Sequence, residues 1–365
     1  MNHFPAKNPT RDLLDSLTRS VIPGLQYIVV GVDNVVFEYS GGWADIRNQK
    51  PMKPGTTQMA YSMTKTFTAA AVLQLVERGE LELDVGIDYY LQNPPYRGNI
   101  TVRQLICHTA GIPNPIPLKW VHTAEEQEHF DEDAALAKVL QDNPKLRSEP
   151  GEKYAYSNIG YWLLGKILER VTQRPYAEYM RECVLKPLGL EIHEMDFVVH
   201  DASRHAKGYL GKYSLMNLVK GLITDKKVWG HYEGNWIQVR SNYVNGPAFG
   251  GLIGAAEAFS RFLQDQLKER PVLFGRETKQ LFYTQQRNNR GEPIEMTLGW
   301  HIGSLQGVNY FFKEGGGGGF HSEMRIYPTL GFASVIMVNG TEFNSNRVLS
   351  GLDQAFLGIP APRAE

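Results

Sequence analysis

The clearest periodic pattern in the chain lies between Ser62 and Gly79, where apolar residues recur every three or four positions. Residues 66–76 are apolar around almost the whole circumference of a helix, which is typical of a helix that is buried on most sides. Gly79 follows the last periodic residue, a position where glycine commonly ends a helix. We therefore predict a buried helix that starts near Ser62.

A second pattern, typical of β-strands, appears at both ends of the chain. A helix is predicted at 12–20, and two β-rich runs follow it at 25–32 and 35–39. The Asp-Asn pair between these runs predicts an antiparallel hairpin. The predicted C-terminal elements are strands at 297–302, 309–312, 320–327 and 331–338 and a last helix at 346–356.

The middle of the chain shows helical periodicity instead, at 134–140, 161–171 and 176–184. Strands at both ends of a chain pair most simply in one sheet, and helices then cover the faces of that sheet. We therefore predict an α/β (α+β) fold in which an antiparallel sheet is flanked by helices and a helical domain is inserted.

The same pattern suggests domain boundaries. We expect residues 1–80 and 245–365 to form the α/β domain around the central antiparallel sheet. Residues 81–244 are expected to form a mainly helical domain, which includes the aromatic-rich segment 208–244. A cleft between two such domains is where a binding pocket is expected.

Composition narrows the class of protein. The chain has 365 residues, of which 42% are hydrophobic and 21% are charged, as in ordinary globular proteins. Its formal net charge of −1 and its lack of a basic stripe argue against binding to nucleic acid or to an anionic membrane. No apolar run approaches the length of a membrane span.

Residues 1–7 lack the apolar core of a signal peptide, so we expect a cytoplasmic protein, or a periplasmic or secreted one if a leader has been removed. The two cysteines, Cys107 and Cys183, are too few for a disulfide framework and show no zinc or redox spacing. The acidic stretch 125–133 matches no metal-ligand pattern and is expected to be a solvated helix start. We expect neither a metal nor a cofactor.

Candidate chemistry begins with Ser62 and Lys65, which lie three positions apart at the start of the predicted buried helix. Residues i and i+3 share a helix face, so an unprotonated Lys65 amine would lie beside the Ser62 oxygen. Such an amine can activate a serine as the nucleophile of an acyl transfer. The alternative is that Ser62 is only the N-cap of a core helix and Lys65 is a solvated residue of the first turn.

Tyr156 and Asn158 precede the second of the three central helices. A tyrosine that is deprotonated by nearby lysine charge can act as a general base, and an asparagine amide can hold both a lysine and a substrate carbonyl. The alternative is an aromatic residue and a cap residue at a helix start. Tyr243 and Asn245 repeat the Tyr-x-Asn spacing, but we prefer Tyr156 because its surroundings are more distinctive.

Lys313, Glu314, Gly315 and Gly316 lie where a β-rich run meets the glycine row 315–319. Glycines let a backbone approach a bound group closely, so an N–H here could donate to a developing oxyanion. Lys313 could attract an anionic part of a substrate. The alternative is a flexible glycine hairpin with a solvated lysine. A phosphate-binding loop fits less well, because no Gly-Lys-Ser/Thr follows the glycines.

Together these motifs resemble the serine β-lactamase and DD-peptidase superfamily, in the branch that contains class C β-lactamases, DD-carboxypeptidases and family VIII carboxylesterases. The Ser-x-x-Lys, Tyr-x-Asn and Lys-x-Gly motifs occur in the family's order. Further similar segments are 100–113, 150–158, 163–165, 187–190, 250–252 and 299–300. The resemblance covers roughly residues 10–355 and implies the β-lactamase/transpeptidase-like fold.

The resemblance also implies roles for the candidate residues. It implies that Ser62 is the nucleophile, that Lys65 is its activating partner and that Tyr156 is a base-like group. It implies that Asn158 positions its neighbours and that the backbone N–H groups of Ser62 and Gly316 form the oxyanion hole. No Gly-x-Ser-x-Gly elbow occurs, which argues against an ordinary α/β-hydrolase.

Two residues need separate comment. Glu314 replaces the threonine or serine usual in the Lys-Thr-Gly triplet of β-lactamases and peptidases, and a carboxylate there would repel a substrate carboxylate or neutralise Lys313. This departure weakens the β-lactamase interpretation, whereas the retained lysine is unlike many esterases of the branch. His108 belongs to a turn typical of the family and is expected to be structural.

We therefore predict a serine hydrolase that acts through an acyl-enzyme on carboxylic esters, or on related D-amino-acid amides or peptides. Its expected ligand is a small-molecule ester, amide or β-lactam. β-Lactam hydrolysis, DD-carboxypeptidase action and acyl transfer to an acceptor other than water use the same chemistry and remain alternatives. A penicillin-binding protein that is acylated without turnover is an alternative from another class. Trp229, Tyr232 and Trp236 are expected either to line the substrate pocket or to pack at a sheet edge.

Overall fold

A computed structural model gives the fold over residues 7–92, 96, 98–115, 119–214, 216–217, 220 and 225–356. The helices are α1 (Lys7–Ser20), α2 (Thr64–Glu77), α3 (Ile87–Tyr90), α4 (Val102–Ile106), α5 (Glu132–Asp142), α6 (Asn158–Thr172), α7 (Tyr176–Met180), α8 (Pro247–Gly250), α9 (Ala256–Leu267), α10 (Arg276–Tyr283) and α11 (Ser345–Gln354). None of these helices is both long enough and apolar enough to cross a membrane.

The strands are β1 (Gly24–Gly31), β2 (Val35–Asp45), β3 (Lys50–Pro51), β4 (Gln58–Met59), β5 (Val121–Thr123), β6 (Met195–Asp196), β7 (Gly208–Gly211), β8 (Trp229–Glu233), β9 (Trp236–Val239), β10 (Asn242–Val244), β11 (Ile253–Gly254), β12 (His301–Leu305), β13 (Val308–Gly317), β14 (Phe320–Tyr327) and β15 (Phe332–Val338). Short helical turns lie at Tyr61–Met63, Ala124–His129, Arg181–Leu185, Lys186–Leu188, Lys226–Val228 and Pro328–Leu330.

The main sheet has seven strands in the order β12-β13-β14-β15-β1-β2-β3, and each neighbouring pair is antiparallel. Strands from the two ends of the sequence meet in its centre, where Leu25 of β1 pairs with Val338 of β15. The predicted fold class, an antiparallel sheet flanked by helices, is confirmed.

Helices cover both faces of this sheet. Tyr27 and Val29 of β1 belong to a core that also contains residues of α1 and α11. Ile28 and Val30 belong to the larger core, which contains α2 and α9. This alternation follows from the two-residue period of a strand, because successive side chains point to opposite faces. Helix α2, which directly follows the candidate nucleophile Ser62, therefore packs in the larger of the two cores.

Helix α2 is buried as the sequence predicts. Every residue from Thr64 to Leu75 is buried, and the Phe67 ring stacks on that of Phe262 in α9 with centroids 4.1 Å apart. Arg78 forms the C-cap, and Gly79 follows with a φ of +70°. A helix that is enclosed on all sides holds its N-terminal end rigidly, which fixes the position of the residues just before it.

The segment 208–244 differs from the mainly helical domain predicted for this part of the chain. Within its described residues it contributes strands β7, β8, β9 and β10. Strands β7, β9 and β8 form a small three-stranded sheet, and β10 pairs with β5 in a two-stranded ribbon. Ile237 and Val239 of β9 are buried while Trp236 and Gln238 are half-buried, so one face of this small sheet packs inward.

Two strand boundaries also differ from the prediction. β12 begins at His301 and not at 297, because Gly299 has a φ of +110°, which no extended strand adopts. β13 continues to Gly317 and does not end at 312. Its glycines pair with β14, Gly315 opposite Ser322 and Gly317 opposite Phe320. The partner strand thus imposes an extended backbone on residues whose own strand preference is weak.

Candidate active site

Ser62 lies in a single helical turn, Tyr61–Met63, directly before α2. The backbone of Tyr61 is in the left-handed region, with a φ of 45°, so the chain turns sharply between β4 and the helix. The Tyr61 hydroxyl donates to the carbonyl oxygen of Gly318 at 2.7 Å, which ties this turn to the end of β13. Ser62 is held half-buried where the helix meets the main sheet.

Lys65 lies one helical turn further on, and its Nζ is 2.9 Å from Ser62 Oγ. The N-cap of α2 is Met63, and no side chain caps the helix, so the alternative in which Ser62 is only a capping residue does not apply. Lys65 is fully buried, so it is not a solvated first-turn residue either. The two side chains that the sequence pairs by helical spacing are in contact.

The charge state of Lys65 follows from its surroundings. Burial, and then the nearby charge of Lys313, hold the pKa of Lys65 well below its ordinary value. A neutral amine has two N–H groups and one lone pair. Two oxygens that accept hydrogen bonds lie close to Nζ, Asn158 Oδ1 at 2.7 Å and the Phe249 carbonyl oxygen at 2.6 Å. If a neutral Lys65 donates both N–H groups to these oxygens, its lone pair is left for Ser62 Oγ.

Tyr156 reaches the same oxygen from the other side. Its hydroxyl donates to Ser62 Oγ at 2.7 Å. Burial raises the pKa of Tyr156, which is opposite in direction to the expected phenol deprotonated by lysine charge. Both pKa shifts favour the uncharged forms, a protonated phenol and a neutral amine, beside the same serine oxygen. In these forms Ser62 can give its proton to Lys65 while it accepts one hydrogen bond from Tyr156.

The second Tyr-x-Asn motif has other contacts. The Tyr243 hydroxyl accepts a hydrogen bond from the Val199 N–H at 3.1 Å, and Asn245 Oδ1 lies 3.0 Å from His122 Nδ1. Neither contact involves Ser62. The geometry thus separates two motifs that are identical in spacing.

His108 is buried beneath the site and does not contact Ser62. Its Nδ1 accepts a hydrogen bond from the Ser157 N–H at 3.1 Å, and its ring lies 4.3 Å from the Tyr156 ring. Burial, and then the charges of Lys313 and Lys65, lower the pKa of His108 well below its ordinary value. A neutral imidazole packed against the phenol fits the structural role expected for this residue.

Two further contacts were not identified from the sequence. The carbonyl oxygen of Phe249 contacts Lys65, and it lies directly before the Gly250-Gly251 pair that helped to indicate the family. The ring of His301 stacks over Tyr156, with centroids 6.4 Å apart and an interplanar angle of 18°. Its Nε2 lies 3.0 Å from the Tyr154 hydroxyl. The Gly299-Trp300 motif directly precedes His301 in the sequence and was the signal that could have pointed to this residue.

The end of β13 forms an open edge of the sheet that faces Ser62. Among the described residues, β12 pairs with Val308–Phe312 alone, so the last five residues of β13 have β14 on one side and no described strand on the other. At Gly315 a methyl group would lie 2.0 Å from the Ala60 carbonyl oxygen and 2.9 Å from the Ser62 nitrogen. Glycine is therefore required here for β13 to pass so close to the turn that carries Ser62.

The backbone of Gly316 is directed toward this open edge. Gly317 and Phe320 flank the two-residue turn between β13 and β14, and a turn of this length joins them by a hydrogen bond. Because bonded and non-bonded pairs alternate along an antiparallel ladder, the next pair, Gly316 and His321, is non-bonded. The Gly316 N–H then points away from β14. Gly316 and Ser62 line the same cavity, so their N–H groups can converge on one substrate oxygen.

Lys313 is fully buried and does not line this cavity. Its Nζ lies 5.4 Å from the centre of the Tyr156 ring and 5.9 Å from that of Tyr161. Burial lowers the pKa of Lys313 to about 7. The expectation that Lys313 meets an anionic part of the substrate therefore lacks geometric support, as does the alternative of a solvated lysine.

Glu314 occupies the opposite face of β13 from Lys313, as alternation along a strand requires. Its Oε1 lies 2.6 Å from His321 Nε2 and accepts a hydrogen bond from Ser345 Oγ at 3.4 Å. The hydrogen bond with His321 is the main reason that the pKa of Glu314 is lowered. Glu314 therefore has a partner on β14. This differs from the expectation that Glu314 would neutralise Lys313, which lies on the other face of the strand.

A cavity of about 300 Å³ adjoins Ser62. It is lined by Tyr61, Ser62, Val121, Asn158, Leu210, Met216, Val228, Trp229, Val239, Asn242, Val244, Phe249, Gly250, Gly316, Gly317, Gly318 and Thr341. Of the three aromatic residues considered above, Trp229 lines the cavity, whereas Tyr232 is 54% exposed and Trp236 lies at the outer end of β9.

The acidic stretch 125–133 forms the turn Ala124–His129 and the start of α5, where the Asp131 side chain caps the helix. Glu132 accepts a hydrogen bond from Trp162 Nε1 at 2.8 Å and lies 3.3 Å from Lys166 Nζ. Within the part of the chain that the structure describes, no group of three or more His, Cys, Asp or Glu side chains is placed to hold a metal ion.

The fold and the site together define the class of protein. It has the fold of β-lactamases and penicillin-binding proteins, with a Ser-x-x-Lys motif beside the open edge of a strand. Residues 10–355 match the family model described as Beta-lactamase, and the chain belongs to this family. The family predicted from the motifs is confirmed. The chain is therefore a member of a family of serine hydrolases.

Similar proteins agree with this assignment. The chain is 23% identical over 296 residues to "Penicillin-binding protein 4*" of Bacillus subtilis, an alignment that covers 80% of this chain and 62% of that protein. The chain thus spans less than two thirds of the length of this relative. It also resembles the octameric penicillin-binding protein homologue from Pyrococcus abyssi, with a TM-score of 0.75, 22% identity, and coverage of 96% of this chain and 76% of that one.

A third similar structure is the D-amino acid amidase from Ochrobactrum anthropi SV3 complexed with L-phenylalanine amide. The TM-score is 0.77 at 19% identity, and the alignment covers 96% of this chain and 98% of that one. At this identity the similarity establishes the fold alone.

The close approach at Gly315 leads to the first prediction. We expect Gly315→Ala to lower kcat by at least about a hundredfold, because the added methyl would displace β13 from Ser62 and misplace an oxyanion donor. Gly316→Ala keeps the N–H and requires only a small shift of the His321 ring, so its loss of kcat should be far smaller. Steady-state kinetics of the two variants, with circular dichroism to verify folding, decides the matter. Equal losses in both would contradict the geometry.

The second prediction concerns the stability effect of Lys313. Its folded pKa of about 7 lies below the unfolded value of about 10.4, so the folded state binds fewer protons between these pH values. The free energy of unfolding should therefore rise as the pH increases through this range. Lys313→Met removes the cost of holding the buried amine. We expect the variant to melt at least about 2 °C above wild type at pH 6, with a smaller difference at pH 9.

The control for this experiment is Lys138→Met, since Lys138 is an exposed residue of α5 with a side chain that is 74% accessible. Its effect on Tm should be small and should not depend on pH. An advantage of Lys313→Met that stays constant or grows between pH 6 and pH 9 would exclude a depressed pKa at this position.

Proposed function

We propose that this chain is a serine hydrolase that cleaves carboxylic esters through an acyl-enzyme formed on Ser62. The observation that carries the proposal is the convergence of two groups on one oxygen. Ser62 Oγ lies 2.9 Å from Lys65 Nζ and 2.7 Å from the Tyr156 hydroxyl. An activated nucleophile is recognised by a base within hydrogen-bond reach that a third group orients, and here Asn158 and the Phe249 carbonyl orient Lys65.

In the acylation step, Ser62 Oγ attacks the substrate carbonyl carbon and gives its proton to the lone pair of Lys65. The carbonyl oxygen becomes negatively charged and accepts hydrogen bonds from the N–H groups of Ser62 and Gly316. Such donors are already in position before reaction, which is why they stabilise the transition state strongly. Tyr156 then protonates the leaving oxygen, and the Lys65 ammonium returns a proton to the phenolate.

In the deacylation step, water takes the place of the departed alcohol. It loses a proton to the Tyr156–Lys65 pair as its oxygen bonds to the acyl carbon, and Ser62 Oγ regains a proton as it leaves. The fully buried Lys65 suits this sequence, because a neutral amine in an apolar setting accepts a proton near neutral pH whereas a solvated lysine is already charged.

Two features favour uncharged esters over substrates that carry a carboxylate near the reacting carbonyl. Lys313 has no exposed surface from which to bind a carboxylate. No charged side chain is among the described residues that line the cavity beside Ser62. Amides of D-amino acids are the second candidate class, suggested by the fold shared with the Ochrobactrum anthropi amidase.

A substrate panel tests the proposal. Wild type and Ser62→Ala are assayed side by side with p-nitrophenyl esters, D-alanyl and D-phenylalanyl amides, D-alanyl-D-alanine peptides and a chromogenic cephalosporin. We expect steady turnover of the esters by wild type and none by Ser62→Ala. Intact-protein mass spectrometry should show a phosphonate label on wild type that is absent from Ser62→Ala. A label on another serine would refute the assignment, and acylation without turnover would indicate a penicillin-binding protein.

The two Tyr-x-Asn motifs provide a matched pair of variants. We expect Tyr156→Phe to lower kcat by at least about a hundredfold, the scale of lost proton-transfer assistance, with the fold intact because only one hydroxyl is removed. Tyr243→Phe also removes one hydroxyl but should retain kcat within about threefold, since its contact is with the Val199 N–H. Steady-state kinetics at saturating ester measures both. If Tyr243→Phe lost kcat and Tyr156→Phe retained it, the assignment of Tyr156 would be wrong.

A further inference from the structure

The cavity beside Ser62 is enclosed by parts of the chain that are distant in sequence. One wall is the ribbon of β5 and β10, where Val121 and Val244 are direct cross-strand partners. A second wall comes from β8 and β9, where Trp229 pairs with Val239. The glycines that follow Lys313 form the third side, and Gly318 lies close enough to Val239 that a methyl there would be 3.6 Å from Val239 Cγ1.

The position of this cavity indicates which half of a substrate it holds. The leaving group must lie beside Tyr156, because that hydroxyl is the proton donor nearest to Ser62 Oγ. Tyr156 does not line the cavity, whereas Ser62, Asn158 and Gly316 do. The cavity therefore extends from the reacting carbonyl on the side away from the leaving group, where the acyl substituent lies.

The lining specifies the chemistry of that substituent. Apart from Ser62, the lining includes the uncharged polar side chains of Asn158, Asn242 and Thr341 and the amphipathic rings of Tyr61 and Trp229, and the rest of the described lining is aliphatic, phenylalanine, methionine or glycine. An ionised acyl group would lose its hydration here without gaining a counter-charge. An apolar group of matching size would gain the burial energy of each methylene.

The volume of the cavity limits the size of the acyl group that it can hold. A water molecule occupies about 30 Å³ in the liquid, so a cavity of about 300 Å³ has the room of roughly ten waters. An acetyl group would leave most of this space unfilled, and a palmitoyl chain, with well over ten carbon atoms, would exceed it.

We propose that the cavity selects uncharged, apolar acyl groups of medium size, such as hexanoyl or phenylacetyl, and that Val239 and Val244 set the upper limit. This rests on the proposed role of Ser62 as the nucleophile, and it adds the acyl specificity that the catalytic residues leave undefined. Val239 determines depth because it meets the glycine end of β13 on one side and Trp229 on the other. Val244 determines width because its cross-strand partner Val121 lies on the same wall.

The test uses two readouts, so that specificity and turnover are measured separately. Hydrolysis is followed with p-nitrophenyl acetate, hexanoate, phenylacetate, palmitate and hemisuccinate. Covalent labelling of Ser62, which needs no turnover, is followed by mass spectrometry with methyl- and hexylphosphonate p-nitrophenyl esters. For wild type we expect kcat/KM to be at least about tenfold higher for hexanoate and phenylacetate than for acetate, palmitate or hemisuccinate, and hexylphosphonate to label faster than methylphosphonate.

Val239→Phe fills the proposed cavity. It should lower the ratio of kcat/KM for hexanoate to kcat/KM for acetate at least about tenfold. Val272→Phe is the matched control, because Val272 is 56% exposed and does not line the cavity, and it should keep the wild-type ratio. If Val239→Phe does not fold, Val244→Leu makes the same test with a smaller increment, and Trp229→Leu should shift the optimum toward longer chains.

The outcomes separate the two proposals. Ester turnover without a preference for medium acyl groups, or equal loss of acetate and hexanoate in Val239→Phe, overturns the acyl cavity and leaves the hydrolase intact. Faster labelling by hexylphosphonate without ester turnover supports the cavity and overturns ester hydrolysis. No labelling by either phosphonate overturns both.

Discussion

Strand β13 passes so close to the turn carrying Ser62 that a single methyl group on Gly315 would overlap the Ala60 carbonyl oxygen. This approach depends on the short β12, which leaves the end of β13 open on one side, and on the hydrogen bond that ties Tyr61 to Gly318. It brings the N–H groups of two distant segments to one place, and it forms one side of the cavity beside Ser62. The proposed oxyanion donors, the proposed nucleophile and the proposed substrate cavity all depend on this close approach.

Burial supplies the second requirement of the site, a lysine that can accept a proton. Lys65 and Lys313 are both fully buried against the rings of Tyr156 and Tyr161, and burial lowers the pKa of each. The same burial raises the pKa of Tyr156, so the phenol keeps its proton. Burial thus favours the uncharged form of both the amine and the phenol, which are the forms that the proposed base and acid roles require.

The contacts of Glu314 give a structural role to this residue, which departs from the family pattern. The carboxylate contacts His321 and Ser345, and Ser345 Oγ donates to Glu323 Oε2 at 2.7 Å. Glu323 in turn accepts from Arg325 Nε at 2.6 Å within a buried ionic group that links β14 to α11. Glu314 therefore joins the outer face of β13 to the C-terminal helix, on the side of the sheet away from Lys313.

Much of the site was predictable from the sequence because it depends on local geometry. Ser62 and Lys65 share a helix face by the helical repeat, and the apolar circumference of residues 66–76 indicated a buried helix. The strands of the two chain ends followed from their β-rich runs, and the motifs in order indicated the family. What the sequence could not give was the environment of each group. The sequence context favoured Tyr156 over Tyr243, but the contacts of each tyrosine, the burial of Lys313 and the partner of Glu314 were decided by tertiary structure. A pKa or a contact depends on atoms brought together from distant segments, such as the Phe249 carbonyl beside Lys65. The periodicity of the sequence does not show which segments will meet, because it depends only on neighbouring residues.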